Sequence, residues 1–310
     1  MSDIQYKLMK NANLSIEDII RQYSMIEAEA EEVRNNDKLT VKNLFGSFYG
    51  KKLNVGIGFQ RAYGSILSGD YFELYKLPDS NYLFVFADIS GHGLPAYTTL
   101  IRLRSAITST LKMYEKRYRN NQHFEYIDIV REIGNAFTDI LDASQSKDFA
   151  SVIFTFISNE NDKFHLTFFS RGMHFPFIAR RFENSLMDIY NLNNREKGWI
   201  PAKSHLLGSE IRDLLGEKYN KYISCHFVIY EGDSLFFFSD GLIEGTAIDN
   251  PHEEFGTERL MDCLREHIHL YPQAIVNTMY EKIYEFIGRP ERQFDDMTAV
   301  LIDFPLVRAN

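Results

Sequence analysis

The sequence predicts an α+β fold in which two antiparallel sheets are flanked by helices. Three observations point there. Short runs rich in Phe, Val, Ile and Tyr recur in clusters. Pairs of segments with helical periodicity separate those clusters. Turn-forming stretches such as Pro78-Asp79-Ser80-Asn81 and Glu231-Gly232-Asp233 have the composition of hairpin turns.

The strands read as residues 55–61, 69–76, 82–88, 150–158, 164–170, 175–181, 226–231, 234–239 and 298–304. The helices follow from their apolar faces. Tyr97, Leu100, Ile101, Ile107, Leu111 and Tyr114 trace one from about Leu94, and Ile127, Val130, Ile133, Phe137, Ile140 and Leu141 trace a second. Leu260, Cys263, Leu264 and Ile268 mark a third. Pro272 opens a fourth in its first turn, and Gly288 with Pro290 ends it.

Upstream, Ile16, Ile19, Tyr23, Ile26, Ala30 and Val33 fall at alternating three- and four-residue steps, a heptad-like seam. Ser15 provides an N-cap and Asp18 an acidic first turn. Two readings stand: an amphipathic helix packed on its own domain, or a short dimerising coiled coil that transmits a signal. The expected division is a helical segment over 1–36, a connector over 37–52 and one domain over 53–306.

Composition narrows the function. The chain has 310 residues, 45% of them apolar and 25% charged, as in a soluble globular protein. Its net charge of -9 argues against nucleic acid as a partner, since phosphate-backbone binding needs clustered Lys and Arg. Cys225 and Cys263 show no metal spacing and read as small core residues in a reducing cytoplasm. No apolar run approaches the roughly 18 residues of a membrane span, and no signal peptide is expected.

The chemistry concentrates on aspartates at strand ends. Asp88 opens Asp-Ile-Ser-Gly-His-Gly-Leu-Pro after the apolar run 82–87, and its glycines permit a sharp turn. Asp70 lies in Ser-Gly-Asp-Tyr-Phe, Asp240 in Phe-Phe-Phe-Ser-Asp-Gly, and Asp295 in Phe-Asp-Asp-Met-Thr. Taken singly, a Gly-Asp or Asp-Gly pair is more often a turn than a ligand, and Asp79 and Asp233 read as plain turn residues. Carboxylates are hard oxygen ligands, suited to Mg²⁺ or Mn²⁺ rather than zinc.

In order and spacing these four segments resemble the SpoIIE-like branch of the PPM (type 2C-like) metal-dependent serine/threonine phosphatases, over about Gly56 to Asp303. Gly172 in Ser-Arg-Gly-Met-His-Phe-Pro, the turn Glu-Gly-Asp-Ser and Phe-Gly-Thr-Glu-Arg-Leu at 255–260 also match. The resemblance implies an αββα sandwich and two Mn²⁺ or Mg²⁺ ions. It implies Asp88 as the bridging ligand, with the Ile89 carbonyl and Asp70 on one ion and Asp240 and Asp295 on the other. The ions would activate a water to attack phosphoserine or phosphothreonine in line. Asp295 rather than Asp296 is the expected ligand, because the family places it first in the pair.

Some positions depart from the pattern. In eukaryotic relatives a histidine follows the bridging aspartate by two residues. Here His92 follows Asp88 by four, so it reads as a loop-shaping residue rather than a general acid. His174 reads as a rim residue, and Arg171 and Met173 replace small residues. The implied substrate is a phosphorylated STAS-domain anti-sigma-factor antagonist of a partner-switching pathway. The alternatives are a non-catalytic binding module on the same fold, or a metallohydrolase of small phosphate esters.

Overall fold

The computed structural model shows, among its described residues, eleven strands that pair into two antiparallel sheets. It describes residues 52–122, 124–160, 163–182, 185–192, 205–216 and 221–304, with isolated positions between 28 and 49. The heptad-like seam lies outside the described residues.

The first sheet runs β1 (Asn54–Gln60), β11 (Met297–Asp303), β10 (Ser234–Phe238), β6 (Phe177–Phe182) and β7 (Ser185–Asn191). The second runs β2 (Tyr71–Lys76), β3 (Tyr82–Ile89), β4 (Phe149–Glu160), β5 (Lys163–Arg171) and β9 (Ile223–Ile229), and the short β8 (Leu207–Gly208) pairs with β4. Alternation along β3 shows how the layers form. Phe84 and Phe86 face the first sheet, where they meet Phe237 at ring-centroid distances of 4.8 and 5.8 Å. Leu83, Val85 and Ala87 face the other way, into a core shared with α1 (Gly93–Arg119) and α2 (Tyr126–Ala143). On the far side of the first sheet, Ala299, Leu301 and Phe236 pack with α4 (Gly256–His267) and α5 (Pro272–Ile287). The result is an αββα sandwich. Val41, Phe45 and Phe48 are buried in the core between the sheets.

The structure adds elements that periodicity missed. β7, β8 and the short α3 (Ser209–Leu215) had no signal, because two-residue or mixed polar runs carry too few apolar positions to show a period. β9 begins at Ile223, three residues before the expected start, since its register is set by pairing Ser170 with Ile223. On α1 the buried stripe runs through Ala96, Leu100, Leu103, Ile107 and Tyr114, and the expected Ile101 is 40% exposed.

Candidate metal centre

Antiparallel pairing carries the four aspartates to one end of the sandwich. Tyr71 pairs with Ala87, so Asp70, ahead of β2, and Asp88, near the end of β3, share one rim of the second sheet. Phe238 pairs with Ala299, so Asp240, just past β10, and Asp295, just before β11, share the matching rim of the first. Asp88, Ile89, Asp240 and Asp295 line a cleft of about 350 Å³ together with Gly172 and His174. Asp70 lies behind it, 5% exposed.

Two glycines make the close approach possible. A Cβ on Gly69 would stand 2.9 Å from the Ile89 carbonyl oxygen, and one on Gly241 would stand 2.1 Å from the Asp296 carbonyl oxygen. The loop before β2 can therefore lie against the end of β3, and the turn after Asp240 against the start of β11.

The two members of the Asp-Asp pair do different things. Asp296 is 2% exposed. Its Oδ1 accepts from the Ala62 N–H and its Oδ2 from the Gly69 N–H, each at 2.8 Å, which ties the β1–β2 loop to β11. Both of its oxygens are thus engaged by backbone. Asp295 faces the cleft, and its carboxylate accepts at 2.8 Å from the Asp296 N–H.

The electrostatics are those of crowded carboxylates. Burial, followed by the charge of Asp296, pushes the Asp70 carboxyl well above its usual range. Burial likewise raises Asp88, with the negative charges of Asp70, Asp240 and Asp295 adding to it and a hydrogen bond to Asp240 favouring the protonated form. Asp295 is pushed up to about 6, chiefly by burial. Asp70 Oδ1 and Asp240 Oδ1 are buried without a hydrogen-bond partner. An oxygen-only, negatively charged set with two orphaned oxygens fits hard divalent cations. Among the described residues no three His, Cys, Asp or Glu side chains form a ready cage around one ion. The fit rests on donor chemistry and charge.

Residues that the sequence did not single out complete the centre. Ser239 is fully buried. Its Oγ donates to Asp70 Oδ2 at 2.9 Å and accepts from the Thr298 N–H at 2.8 Å. The available signal was a lone hydroxyl ending the run Phe236-Phe237-Phe238. Glu244 stands near Asp240, Glu254 and Asp295, whose charges add to burial in raising its carboxyl. His92 Nδ1 lies 2.9 Å from Ser65 Oγ in an exposed contact. His174 stacks on Phe238, and burial lowers its imidazole below the ordinary value. Arg171 is fully buried, its guanidinium 5.0 Å from the Tyr222 ring centroid. Its Nε and Nη2 donate to the carbonyls of His205 and Leu206 at 2.7 and 2.9 Å. Asp79 serves the turn, accepting from the Asn81 N–H at 3.1 Å. Asp233 does more than turn: it is fully buried and ion-paired with Arg180 at 3.0 Å.

The family model described as Stage II sporulation protein E (SpoIIE) matches residues 78–305, nearly three quarters of the chain. This chain belongs to the SpoIIE family of PPM-type protein serine/threonine phosphatases. Solved structures agree in fold. The SiaA-PP2C domain of Pseudomonas aeruginosa superposes with a TM-score of 0.64 at 16% identity, covering 92% of this chain and 97% of that one. The SpoIIE phosphatase domain with a regulatory fragment from Bacillus subtilis gives 0.54 at 18% identity, over 82% of this chain and 63% of that one. The catalytic domain of PstP, solved with two manganese ions, gives 0.53 at 11% identity, over 82% and 99%. At such identities the likeness is one of fold. No curated protein matches the chain by sequence. Among the described residues no helix is long and apolar enough to cross a membrane.

Proposed function

We propose that this SpoIIE-family chain hydrolyses phosphoserine and phosphothreonine on a protein substrate, using Mn²⁺ or Mg²⁺ held by Asp70, Asp88, the Ile89 carbonyl, Asp240 and Asp295. The observation that carries this reading is that Asp88, Asp240 and Asp295, from both sheets, line one cleft with Asp70 buried beside them, and that Asp70 and Asp240 each keep a buried oxygen without a partner. Bound divalent ions would supply the Lewis acidity that activates a water for in-line attack and steadies charge on the phosphoryl oxygens.

The chain's own residues do the positioning. Asp88, central in the charge network, would be the ligand held in common. Asp240 and Asp295, from neighbouring strand ends, face it from the first sheet. Asp70, set back and fixed by Ser239, would help to hold an ion. Asp296 fixes the loop that carries Asp70. No Lys or Arg lines the cleft among the described residues, so grip on the phosphate falls to the ions and to backbone.

Membership of this branch supports a STAS-domain anti-sigma-factor antagonist as the substrate, in a cytoplasmic partner-switching pathway. The heptad spacing supports a helical segment over 1–36 that forms a homodimer, joined through 37–52 to the catalytic domain over 53–306.

Assays with Mn²⁺ on a phosphoserine protein and on p-nitrophenyl phosphate test the activity. Hydrolysis of both, with the phosphoprotein preferred, is the expected result. No hydrolysis of either would leave the fold as a binding module. Turnover of the small ester alone would make the chain a small-ester metallohydrolase.

A further inference from the structure

Four apolar side chains stand in solvent around the mouth of the acidic cleft: Tyr63 at 57% exposure, Leu94 at 67%, Phe149 at 37% and Phe294 at 73%. They come from four separate segments, and local contacts bring those segments together. Phe294 precedes Asp295, which lines the cleft. The Tyr63 N–H donates to the Gln293 carbonyl at 2.9 Å, setting Tyr63 beside the Phe294 loop. Leu94 lies two residues past His92, whose ring contacts Ser65 in the loop of Tyr63. Phe149 lines the cleft itself and is bound to the Asp88 loop, its carbonyl accepting at 2.9 Å from the Ser90 N–H. Single exposed hydrophobics are ordinary on any protein surface. Four that converge from separate segments on one functional mouth mark an interaction surface.

The charge around this mouth decides what covers it. The described residues lining the cleft include no Lys or Arg. Glu244 and Glu254 add negative charge beside the aspartates, beyond what ligand carboxylates would cede to bound cations. An acidic flank on a substrate would meet no cation in the cleft lining and would face its carboxylates. An apolar flank would lose water against Tyr63, Leu94 and Phe294.

We infer that these residues form the docking rim for the phosphorylated protein substrate. The rim selects a phosphoserine or phosphothreonine whose neighbouring side chains are apolar over one with acidic neighbours. This rests on the phosphatase reading above. It adds a specificity that the metal centre alone does not supply, since phosphate and hydroxyl leaving group are the same in every phosphoserine.

The test uses the full chain with saturating Mn²⁺ and three probes: a phosphoserine peptide flanked by Leu and Phe, the same peptide with Glu at those positions, and p-nitrophenyl phosphate. The apolar peptide should show the higher kcat/KM by roughly tenfold, the size expected from burying one apolar side chain. Phe294→Ser and Tyr63→Ser, both at exposed positions where folding is little affected, should raise KM for the apolar peptide and narrow its advantage over the Glu peptide. Their effect on p-nitrophenyl phosphate should be several-fold smaller. Equal use of the two peptides by the native chain, with the small ester hydrolysed, overturns the rim and leaves the phosphatase reading standing. Equal losses on peptide and small ester in the variants overturn it too. No hydrolysis of any probe removes the phosphatase reading and the rim with it.

Discussion

Ser239 Oγ donates to Asp70 Oδ2 at 2.9 Å and so joins the end of β10 in one sheet to the entry of β2 in the other. The same oxygen accepts from the Thr298 N–H at 2.8 Å. A single buried hydroxyl thus fixes the rotamer of one aspartate while satisfying the backbone of the strand that carries another. Groups that orient metal ligands matter nearly as much as the ligands themselves.

Ser239→Ala should therefore weaken Mn²⁺ binding by about 10–100-fold while the chain stays folded. It should also destabilise the protein by about 1–3 kcal/mol, because the Thr298 N–H loses its acceptor. Calorimetric titration with Mn²⁺ reads the first effect and urea unfolding the second. Native Mn²⁺ affinity in the variant would show that Ser239 only packs.

Asp88 lies at the centre of the charge network, and Asp240 carries one of the orphaned oxygens. Asp88→Asn and Asp240→Asn should each abolish hydrolysis. In the absence of metal both should melt at or above the temperature of the native chain, since each removes a like charge from a buried cluster. Near-native turnover at saturating Mn²⁺ would be incompatible with the assigned ligands. A large drop in the metal-free melting temperature would show that these carboxylates stabilise the fold rather than strain it.

The raised carboxyls set the sign of the pH dependence. A group whose folded pKa lies above its unfolded value stabilises fully below the unfolded pKa, and that contribution is lost as pH rises through the folded pKa. Asp295, pushed up to about 6, loses its contribution between about pH 4 and pH 6, and Asp70 and Asp88 extend the loss to higher pH. In EDTA the melting temperature should thus be higher near pH 5 than near pH 7.5. Millimolar Mn²⁺ should stabilise most at the higher pH, where it no longer competes with protons. Scanning calorimetry at both pH values, with and without Mn²⁺, checks this. A metal-free chain that gains stability steadily from pH 5 to 7.5 would contradict it.

Much of this architecture is legible in the sequence where a period or a strand end carries it. Asp88 and Asp240 follow apolar runs and Asp295 precedes one, and antiparallel pairing brings the three to one cleft. Arg171 could not be placed that way. Beside Gly172 it stands in place of a small residue, yet its guanidinium turns to the carbonyls of His205 and Leu206, contacts across 34 and 35 residues that no local pattern encodes. Ser239 escaped for the same reason, since its partner Asp70 is 169 residues away. Ile101 sits beside Leu100 in the same helical period, yet only Leu100 is buried, because the stripe runs through Ala96, Leu100 and Leu103.

The inward turn of Arg171 has its own consequence. Arg171→Met keeps the length of the stem but takes the charged donor from the His205 and Leu206 carbonyls, a cost of about 1–3 kcal/mol. The urea midpoint should fall, with the small-ester KM little changed. A raised KM at native stability would instead assign Arg171 to substrate binding.

The seam from Ile16 to Val33 lies outside the described residues, so its partner is an experimental question. Isolated helices of this length are marginal in water, and the apolar face needs either a second copy or the domain. Three heptads with Tyr23 and Ala30 in the seam give an uneven but regular knob pattern, which favours a homodimer. A chain beginning at Asn36 retains the buried Val41, Phe45 and Phe48, so its catalytic body should stay folded. Light scattering should find a dimer for the full chain and a monomer for the shorter one. If dimerisation biases the metal centre between two arrangements, the rate on a phosphoprotein should change with the loss of the seam. Two monomers of equal rate would reduce the helix to packing.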